Sequence, residues 1–464
     1  MKRMITFTVV VAIPFLTSAA AAQPATLSGR ITWQARDSVW HPARTVRIEV
    51  IDSVTQAVLS PATEYTDENG EYRMLLDVGP TPRRVLVRAL SESPTAYLHR
   101  AGAGHLWRLQ SPRAVVLTPG ESKRVDLAGE RGWENNEALS IVDAIHAIQP
   151  YVLTLRGSAL PRAEVVFPTY MVRSAFDSDT KVLHLARPDS YDWDVILHEY
   201  GHYMSLEEGL ANHLGGIHEA EATSSTSMGK GDALRTAWGE GWPTYFSISG
   251  QLAAGLIDLG IPNVGNTRYQ DTDDDVTDYD LGSDDGARNR GEDQEVSVAR
   301  VLFDLEDGVA DYDSVALGAK GLFDILTHVD ATTLGEGIAE VLLHAGREDS
   351  LHLGAILSRY CVAPIPSAPA SGARLAEAPS TFRWQGCSTA LPNNRFTVRF
   401  IDAHGALLLA SPRLDADAFT PSEKEWGGLR AATSLPIRWI VYVDNSEDPP
   451  TGPYPGAART LGPP

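Results

Sequence analysis

Cysteine is nearly absent from this chain of 464 residues, which contains only Cys361 and Cys387. Small exported scaffolds that depend on several disulfides are therefore excluded. Two cysteines so far apart in sequence also do not make a zinc site of their own. In an exported protein we expect them to form one disulfide bond, and two free buried thiols are the alternative.

Positive charge is also scarce. The chain has 39 Lys and Arg against 60 Asp and Glu, which gives a formal net charge of −21. Nucleic acids and anionic membrane surfaces attract cationic proteins, so both are excluded as partners. Beyond the N-terminal segment we find no stretch apolar enough to cross a bilayer, and we predict no membrane span.

The N-terminal segment, residues 1–22, has the pattern of a secretory signal peptide. Lys2 and Arg3 form a short basic start, Ile5–Leu16 is an apolar core, and Ala20–Ala22 offers a cleavage site. The apolar core is too short for a comfortable membrane span. We therefore predict an exported protein, extracellular or periplasmic, and a short buried helix or anchor is the alternative.

The segment from 198 to 202 reads His-Glu-Tyr-Gly-His, an H-E-x-x-H pattern. On an α-helix, residues i and i+4 share a face, so His198 and His202 can both bind one zinc ion. Glu199 then lies beside the first ligand and can take a proton from water that the metal activates. The pattern predicts hydrolysis of a carbonyl compound, most often a peptide bond. A helix with two ordinary histidines is the alternative.

The residues around this motif favour a packed helix. Asp192 or Asp194, just ahead of the apolar residues 195–197, can cap a helix that carries the motif. Gly201 inside that helix costs about 1 kcal/mol relative to alanine. This cost predicts that another backbone comes close to Gly201.

A catalytic zinc site needs a third protein ligand and one open position. Glu240 is our candidate, because a carboxylate within the apolar stretch Ala237–Phe246 requires a partner. Pro243 lacks an amide donor, so we expect this helix to kink there or to start nearby. The extended motif with a third histidine is excluded, since residue 208 is a glutamate. The other candidates for the third ligand are His213, His218, Glu219, Glu221 and Asp232.

The segment from about Asp192 to Phe246 resembles the gluzincin metallopeptidases, thermolysin-like zincins whose third ligand is a glutamate. The resemblance rests on HEYGH followed by a helix of the form E-G-x-x-x-Y-F. It implies one catalytic zinc with His198, His202 and Glu240 as ligands, and Glu199 as general base. Thr244 stands where the family has an aspartate that orients the first histidine.

The family's downstream histidine, which stabilises the oxyanion, has no counterpart in this chain. A carbonyl oxygen that gains charge needs another hydrogen-bond donor near the metal. Four residues near the ligand helix or the acidic loop are candidates: Arg288, Arg290, Tyr279 and Tyr245. Just ahead of the motif, Val182–Leu185 reads as a strand and is a candidate for pairing with an extended peptide.

An acidic, glycine-rich loop spans residues 271–293. Its many carboxylates are the oxygen ligands that Ca²⁺ prefers. The regular calcium-loop pattern is absent, however, and runs of charge are usually solvated. Calcium binding and a solvated loop both remain open.

In the two flanking regions, apolar and polar residues alternate with a period of two, which predicts β-strands throughout. In residues 26–130, the run Thr66–Tyr72 resembles the transthyretin-like, carboxypeptidase-regulatory-like sandwiches, and in residues 381–464 the pattern resembles a fibronectin type III or Ig-like sandwich. Residues 135–362 are helix-rich and predict the zincin-like domain, and residues 363–380 read as a proline-rich linker. We predict a multidomain α+β protein whose central metallopeptidase domain, a small sheet plus helices, is flanked by two all-β sandwiches.

Together these features predict a secreted zinc metallopeptidase, an endopeptidase, that acts on protein or peptide substrates. Two alternatives remain open. One is a surface binding protein with a degenerate zincin fold, and the other is a zinc hydrolase of a non-peptide amide.

Overall fold

The computed structural model describes residues 23–60, 64–210, 229–272, 278–283, 290–307, 315–344, 346–386, 394–432, 436–446 and 449–463. The expected signal peptide lies outside these residues, as do Arg288 and several carboxylates of the acidic loop. Cys361 is disulfide-bonded, and the other cysteine, Cys387, also lies outside the described residues.

The N-terminal region is all-β. Its strands are β1 (Ala25–Gln34), β2 (Trp40–Pro42), β3 (Arg47–Asp52), β4 (Glu71–Leu76), β5 (Arg83–Leu90), β6 (Ala96–His99), β7 (Arg108–Gln110), β8 (Val115–Leu117), β9 (Ser122–Arg124) and β10 (Leu127–Gly129). One sheet is built around β1, which pairs with β2, β4, β9 and β10, while β5 pairs with β3, β7 and β8 in another. Alternate residues are buried, as in β4, because successive side chains of a strand point to opposite faces.

The central region is rich in helices, with α1 (Glu134–Ala147), α2 (Gln149–Arg156), α3 (Trp193–Glu207), α4 (Lys230–Ala253), α5 (Glu295–Glu306), α6 (Gly318–His328), α7 (Leu334–His344) and α8 (Arg347–Arg359). Short strands accompany them: β11 (Ala163–Val166), β12 (Ala175–Asp177), β13 (Val182–His184), β14 (Arg268–Gln270) and β15 (Asp278–Asp280). Helix α3 packs against α1 and α4, and α4 packs against α5.

One sheet joins the N-terminal and central regions. Its strand order is β12-β13-β11-β6, and β6 pairs in parallel with β11 in the register Leu98 to Val165. Strand β6 falls within residues 26–130, so the region that reads as a separate sandwich also contributes an edge strand to the central sheet. Leu98 and Val165 are fully buried, and this edge is part of the hydrophobic core.

Helices α3 and α4 cross in very close contact. A Cβ atom built on Gly201 would lie 2.9 Å from the Cα of Pro243 and 3.1 Å from the Phe246 ring. The expected close approach of another backbone at Gly201 is therefore confirmed. Pro243 does not start a helix, because α4 continues through it from Lys230 to Ala253; its ring and Cα pack into the space that a side chain at 201 would fill.

We expect Gly201→Ala to lower the midpoint of thermal unfolding. The added methyl group meets backbone, so α3 and α4 must separate, and overpacking of this kind costs roughly 1–3 kcal/mol. The gain in helix propensity, about 1 kcal/mol, offsets only part of it. Gly321 on α6 is the matched control, since a Cβ there meets nothing within 4 Å, and Gly321→Ala should raise the midpoint. A rise in both variants would contradict the packing argument.

The C-terminal region returns to strands: β16 (Ile365–Ala368), β17 (Ala373–Arg374), β18 (Phe382–Gln385), β19 (Arg395–Ile401), β20 (Leu407–Ala410), β21 (Ala418–Phe419), helix α9 (Glu423–Arg430), β22 (Ile437–Asn445), β23 (Thr451–Pro455) and β24 (Arg459–Gly462). They form a β16-β18-β21 sheet and a β17-β24-β22-β19-β20 sheet, with β23 added to β22. Strands β16 and β17 lie within the proline-rich segment 363–380, where proline is tolerated because both occupy sheet edges.

The C-terminal strands are tied to the central helices by a buried carboxylate. Thr451 donates a hydrogen bond of 2.7 Å to Glu292, just ahead of α5, and the hydroxyl of Tyr454 donates to the same carboxylate. Glu292 is 2% exposed. This contact fixes β23 against the N-terminal end of α5.

The chain is an α+β protein with several sheets and a helical centre, so the predicted fold class is confirmed. Contrary to the prediction from sequence, one stretch beyond the N-terminal segment, Glu134–Arg156 in α1 and α2, is long and apolar enough to cross a membrane by length and composition. Most of the window, 78%, is buried inside the protein, and its apolar side chains belong to the core that also contains α3.

Candidate metal centre

Two imidazoles and one carboxylate converge between α3 and α4. His198 and His202 extend from consecutive turns of α3, and Glu240 extends from α4. The Nε2 atoms of the two histidines are 3.1 Å apart, and each lies 3.2 Å from Oε2 of Glu240. Among the residues that the structure describes, this is the one group of three or more such side chains that could hold a metal ion.

The spacing of these donor atoms suits a small divalent cation. Zinc binds imidazole nitrogen and carboxylate oxygen at about 2.0–2.1 Å, and a tetrahedron of that size places its donors about 3.3 Å apart. The observed separations of 3.1 and 3.2 Å are close to this value. The side chains of His198, His202 and Glu240 are only 12%, 6% and 8% exposed. The three residues therefore fit a metal ion in a site that is largely shielded from water.

A hydroxyl group orients the first histidine. Thr244 lies one turn after Glu240 on α4, and its Oγ1 is 3.0 Å from Nδ1 of His198. The Nδ1–H of His198 can donate to this oxygen, which leaves the Nε2 lone pair for a metal. A neutral hydroxyl thus fills the position where the resemblance implies a carboxylate.

The charges of the cluster favour a cation between its members. Burial alone lowers the pKa of His198, but the hydrogen bond to Glu240 and the charges of Glu199 and Glu240 outweigh burial and raise it. Burial tends to raise the pKa of Glu240, yet the positive charges of His202 and His198 hold it well below its usual value. Glu240 is therefore an anion at neutral pH, and its negative charge favours a metal cation between the two imidazoles.

A tyrosine hairpin covers the His198 side of the centre. Tyr269 on β14 and Tyr279 on β15 are cross-strand partners, and their stacked rings lie 5.4 Å apart. The Tyr269 ring is 5.7 Å from the His198 ring. Tyr269 is not among the site residues predicted from the sequence. The signal that could have identified it is a tyrosine at the centre of each short strand beside the acidic loop.

The two aspartates before α3 hold this hairpin in place. Asp192 caps α3, accepting from the amide of Val195 at 3.4 Å, and its other oxygen accepts from the amide of Thr272 at 2.8 Å. Asp194 does not cap the helix; it accepts from the amide of Gln270 at 3.0 Å and from Gln251 at 2.7 Å. The hairpin and the motif helix are therefore fixed to each other by buried hydrogen bonds.

The hairpin tyrosines remain hydrogen-bond donors at neutral pH. Burial, with help from nearby charges that include Glu199 for Tyr269 and Glu295 for Tyr279, raises the pKa of both hydroxyls well above the usual value. Of the four proposed oxyanion donors, Tyr279 stacks on Tyr269, whose ring is next to His198. Tyr245 lies elsewhere, buried beside Tyr151 and Glu306. Arg290 lies on the segment leading into α5, and Arg288 is outside the described residues.

The edge of the central sheet beside the metal centre is β12. Phe176 on this strand stacks on His202, with ring centroids 6.4 Å apart and nearly parallel planes. The strand that the sequence analysis assigns to peptide pairing, Val182–Leu185, is instead interior, because β13 pairs with β11 on one side and β12 on the other. The prediction failed because Ala175–Asp177 is too short and too mixed in polarity to read as a strand.

The remaining candidates for the third ligand do not join the cluster within the described residues. Asp232 is on α4 but makes a 2.6 Å ion pair with Arg235 near the start of the helix. The other four candidates, between residues 211 and 228, lie outside the described residues. In the acidic loop, Asp278 forms an ion pair of 2.5 Å with Arg268; most of the other carboxylates there are not described, and calcium binding stays a prediction.

Comparison with known proteins adds little to this geometry. No protein-family model matches the chain, and no curated protein matches it. A solved structure from Pseudomonas aeruginosa, provisionally described as a carbohydrate-binding protein, matches 23% of this chain and 90% of its own length at 10% identity. Its TM-score of 0.14 is too low to establish a shared fold.

Proposed function

We propose that this chain is an exported zinc metallopeptidase that hydrolyses peptide bonds in protein or peptide substrates. The observation that carries the proposal is the convergence of His198, His202 and Glu240 at 3.1–3.2 Å, with Glu199 adjacent. Two imidazoles and a carboxylate form the ligand set of zinc hydrolases that keep one position open. Zinc is favoured over calcium or magnesium because those ions prefer all-oxygen sites.

The residues around the ligands supply the other parts that such a reaction needs. A zinc ion held there provides Lewis acidity and lowers the pKa of a water molecule it binds. Glu199, 7% exposed, is the general base that takes the proton from the attacking water and returns it to the leaving amine. Tyr269, which is protonated and whose ring lies 5.7 Å from that of His198, replaces the missing histidine as donor toward the developing oxyanion.

The substrate binds as an added strand at the outer edge of β12. Within the described residues, β12 pairs only with β13, so its other edge has no strand partner there. Main-chain pairing of this kind gives affinity for peptides of many sequences. It also places a substrate carbonyl near the centre, because Phe176 of β12 stacks on His202. These features favour a peptide over a non-peptide amide as substrate.

We expect the purified chain to cleave an unfolded protein, to lose this activity with a zinc chelator, and to regain it on adding zinc. Calcium or magnesium alone should not restore activity, because neither matches a site with two imidazoles. The sizes of the products distinguish internal cleavage from removal of terminal residues. Full activity in excess chelator, after metal analysis shows the ion is gone, would overturn the proposal. A metal-loaded protein that cleaves no peptide would favour the binding-protein alternative.

A further inference from the structure

A cleft lies on the N-terminal β region, and residues between 47 and 135 line it. It has a volume of about 850 Å³ and opens to solvent, which is within the size range of ligand sites. Its floor is the exposed face of β3, β5 and β7. The register aligns Arg47, Leu90 and Arg108 in one row across these strands. The walls are the loop of residues 100–107 and the start of α1.

The cleft is basic, in contrast to the rest of the protein. Four arginines and two glutamates line it, although the whole chain has a formal charge of −21. Arg47 and Arg88 are paired, with Glu92 at 2.6 Å and with Glu49 at 3.1 Å. Arg100 and Arg108 make no ion pair with any described carboxylate, and both are exposed. Two guanidinium groups are thus available to a ligand, and arginine binds carboxylates and similar anions through paired hydrogen bonds.

Two indole rings line the same cleft. Trp107 is held rigidly, because its indole N–H donates to the carbonyl of Phe167 at 2.7 Å and the guanidinium of Arg100 lies over its ring at 5.4 Å. Trp133, just ahead of α1, is 66% exposed, so a large apolar ring faces water beside the arginines. A ligand that covers Trp133 gains the apolar area of the indole in addition to its ionic contacts.

The position of the cleft argues against a peptide as its ligand. Extended peptides gain most of their affinity from main-chain pairing at a sheet edge, whereas the floor here is a sheet face, whose backbone groups are already paired between β3, β5 and β7. A ligand must instead offer a rigid ring to Trp133 and anionic groups to the arginines. Sugar rings that carry carboxylates have both features, since their C–H faces are apolar and their charged groups lie at the ring edge.

We propose that this cleft binds an acidic oligosaccharide, with its carboxylates on Arg100 and Arg108 and a sugar ring against Trp133. The cleft shares no residue with the metal centre, and its proposed ligand does not rest on the proposed peptidase activity. It would hold the protein to an acidic glycan without any chemical step. At physiological salt, the negative charges on the rest of the chain are screened from a ligand in the cleft. The arginines of the cleft attract the anion at short range, where screening is weak.

The test is direct binding of tetragalacturonate to the full chain, measured by calorimetry. We expect binding that weakens as salt increases, and no binding of the neutral tetramer of glucose. The double variant Arg100→Gln/Arg108→Gln should weaken binding at least about tenfold, as expected for loss of charged hydrogen bonds. Trp133→Ala should also weaken it, and this exposed side chain can be removed without disturbing the core.

The matched control is Arg84→Gln. Arg84 is exposed on the same strand, β5, and on the same face as Arg88, but it does not line the cleft. Arg84→Gln changes the net charge by the same amount as removal of one cleft arginine. Because it removes no contact to the ligand, it should leave the affinity unchanged. Equal weakening in this control would show a nonspecific charge effect and overturn the site. Tetraglutamate could instead bind as tightly as tetragalacturonate or more tightly, and lose this binding in the same variants. That result would show that the ligand is an acidic peptide and not a glycan.

Discussion

Glu199→Gln is expected to keep the metal and lose the activity. Glutamine has nearly the same shape, but its amide cannot accept a proton as a carboxylate does, so kcat should fall at least about 10²-fold. Glu199 is not one of the three converging donors, so the metal content should remain at that of the wild type. Steady-state cleavage of a peptide substrate, together with elemental analysis of the same preparation, measures both quantities.

The control for this variant is on the same helix. Glu207, the last residue of α3, forms an ion pair of 2.6 Å with Lys181, whose side chain is 55% exposed while that of Glu207 is 18% exposed. Glu207 is not one of the three converging donors, so Glu207→Gln should change neither kcat nor metal content. If Glu199→Gln retained wild-type kcat, Glu199 would not be the base, and any hydrolysis would need another acceptor in the site.

Removal of the third ligand is expected to remove the metal. In Glu240→Ala, only His198 and His202 remain. Loss of even an outer partner of a metal ligand typically costs 10–100-fold in affinity, so loss of the ligand itself should cost more. The measurements are metal content after dialysis and affinity by competition with a chelating dye. Circular dichroism separates metal loss from unfolding.

Asp232→Ala provides the comparison for Glu240→Ala. Asp232 is the other described acid on α4 and a third-ligand candidate by sequence, but it pairs with Arg235 at the surface. Its removal should leave metal content unchanged. Wild-type metal occupancy in Glu240→Ala, or metal loss in Asp232→Ala, would show that the third ligand has been assigned to the wrong residue.

The convergence of His198, His202 and Glu240 could be predicted from sequence because local geometry determines most of their arrangement. Residues four apart on α3 share a face whatever the rest of the fold does. The required close approach at Gly201 could also be anticipated, since a helical glycine has a cost that packing must offset. Glu240 lies on a second helix, so its spacing from His202 in the sequence does not predict its role. Its apolar surroundings predict it as the third ligand.

The surroundings of the ligands could not be predicted in the same way, because they depend on contacts distant in sequence. Tyr269 reaches His198 only because Asp194 accepts from Gln270, 76 residues further along the chain. In the sequence, Thr244 stands where the family has an aspartate and suggests that the partner of His198 is lost. In the structure, its hydroxyl oxygen is 3.0 Å from Nδ1 of His198. Strand β12 is too short to produce a periodic pattern, so the sequence predicts peptide pairing at β13, which is an interior strand.

Strand β6 limits how this protein can be rearranged in evolution. A gene fragment that encodes residues 1–130 contains a strand of the sheet beside the metal centre, and a fragment that starts at residue 131 lacks it. Exchange of the front part for an unrelated module would expose the edge of β11 and uncover Val165, which is fully buried in the intact chain. Recombination at this boundary would therefore destabilise the central part unless the new partner supplied its own strand, and we expect the front and central parts to be inherited together.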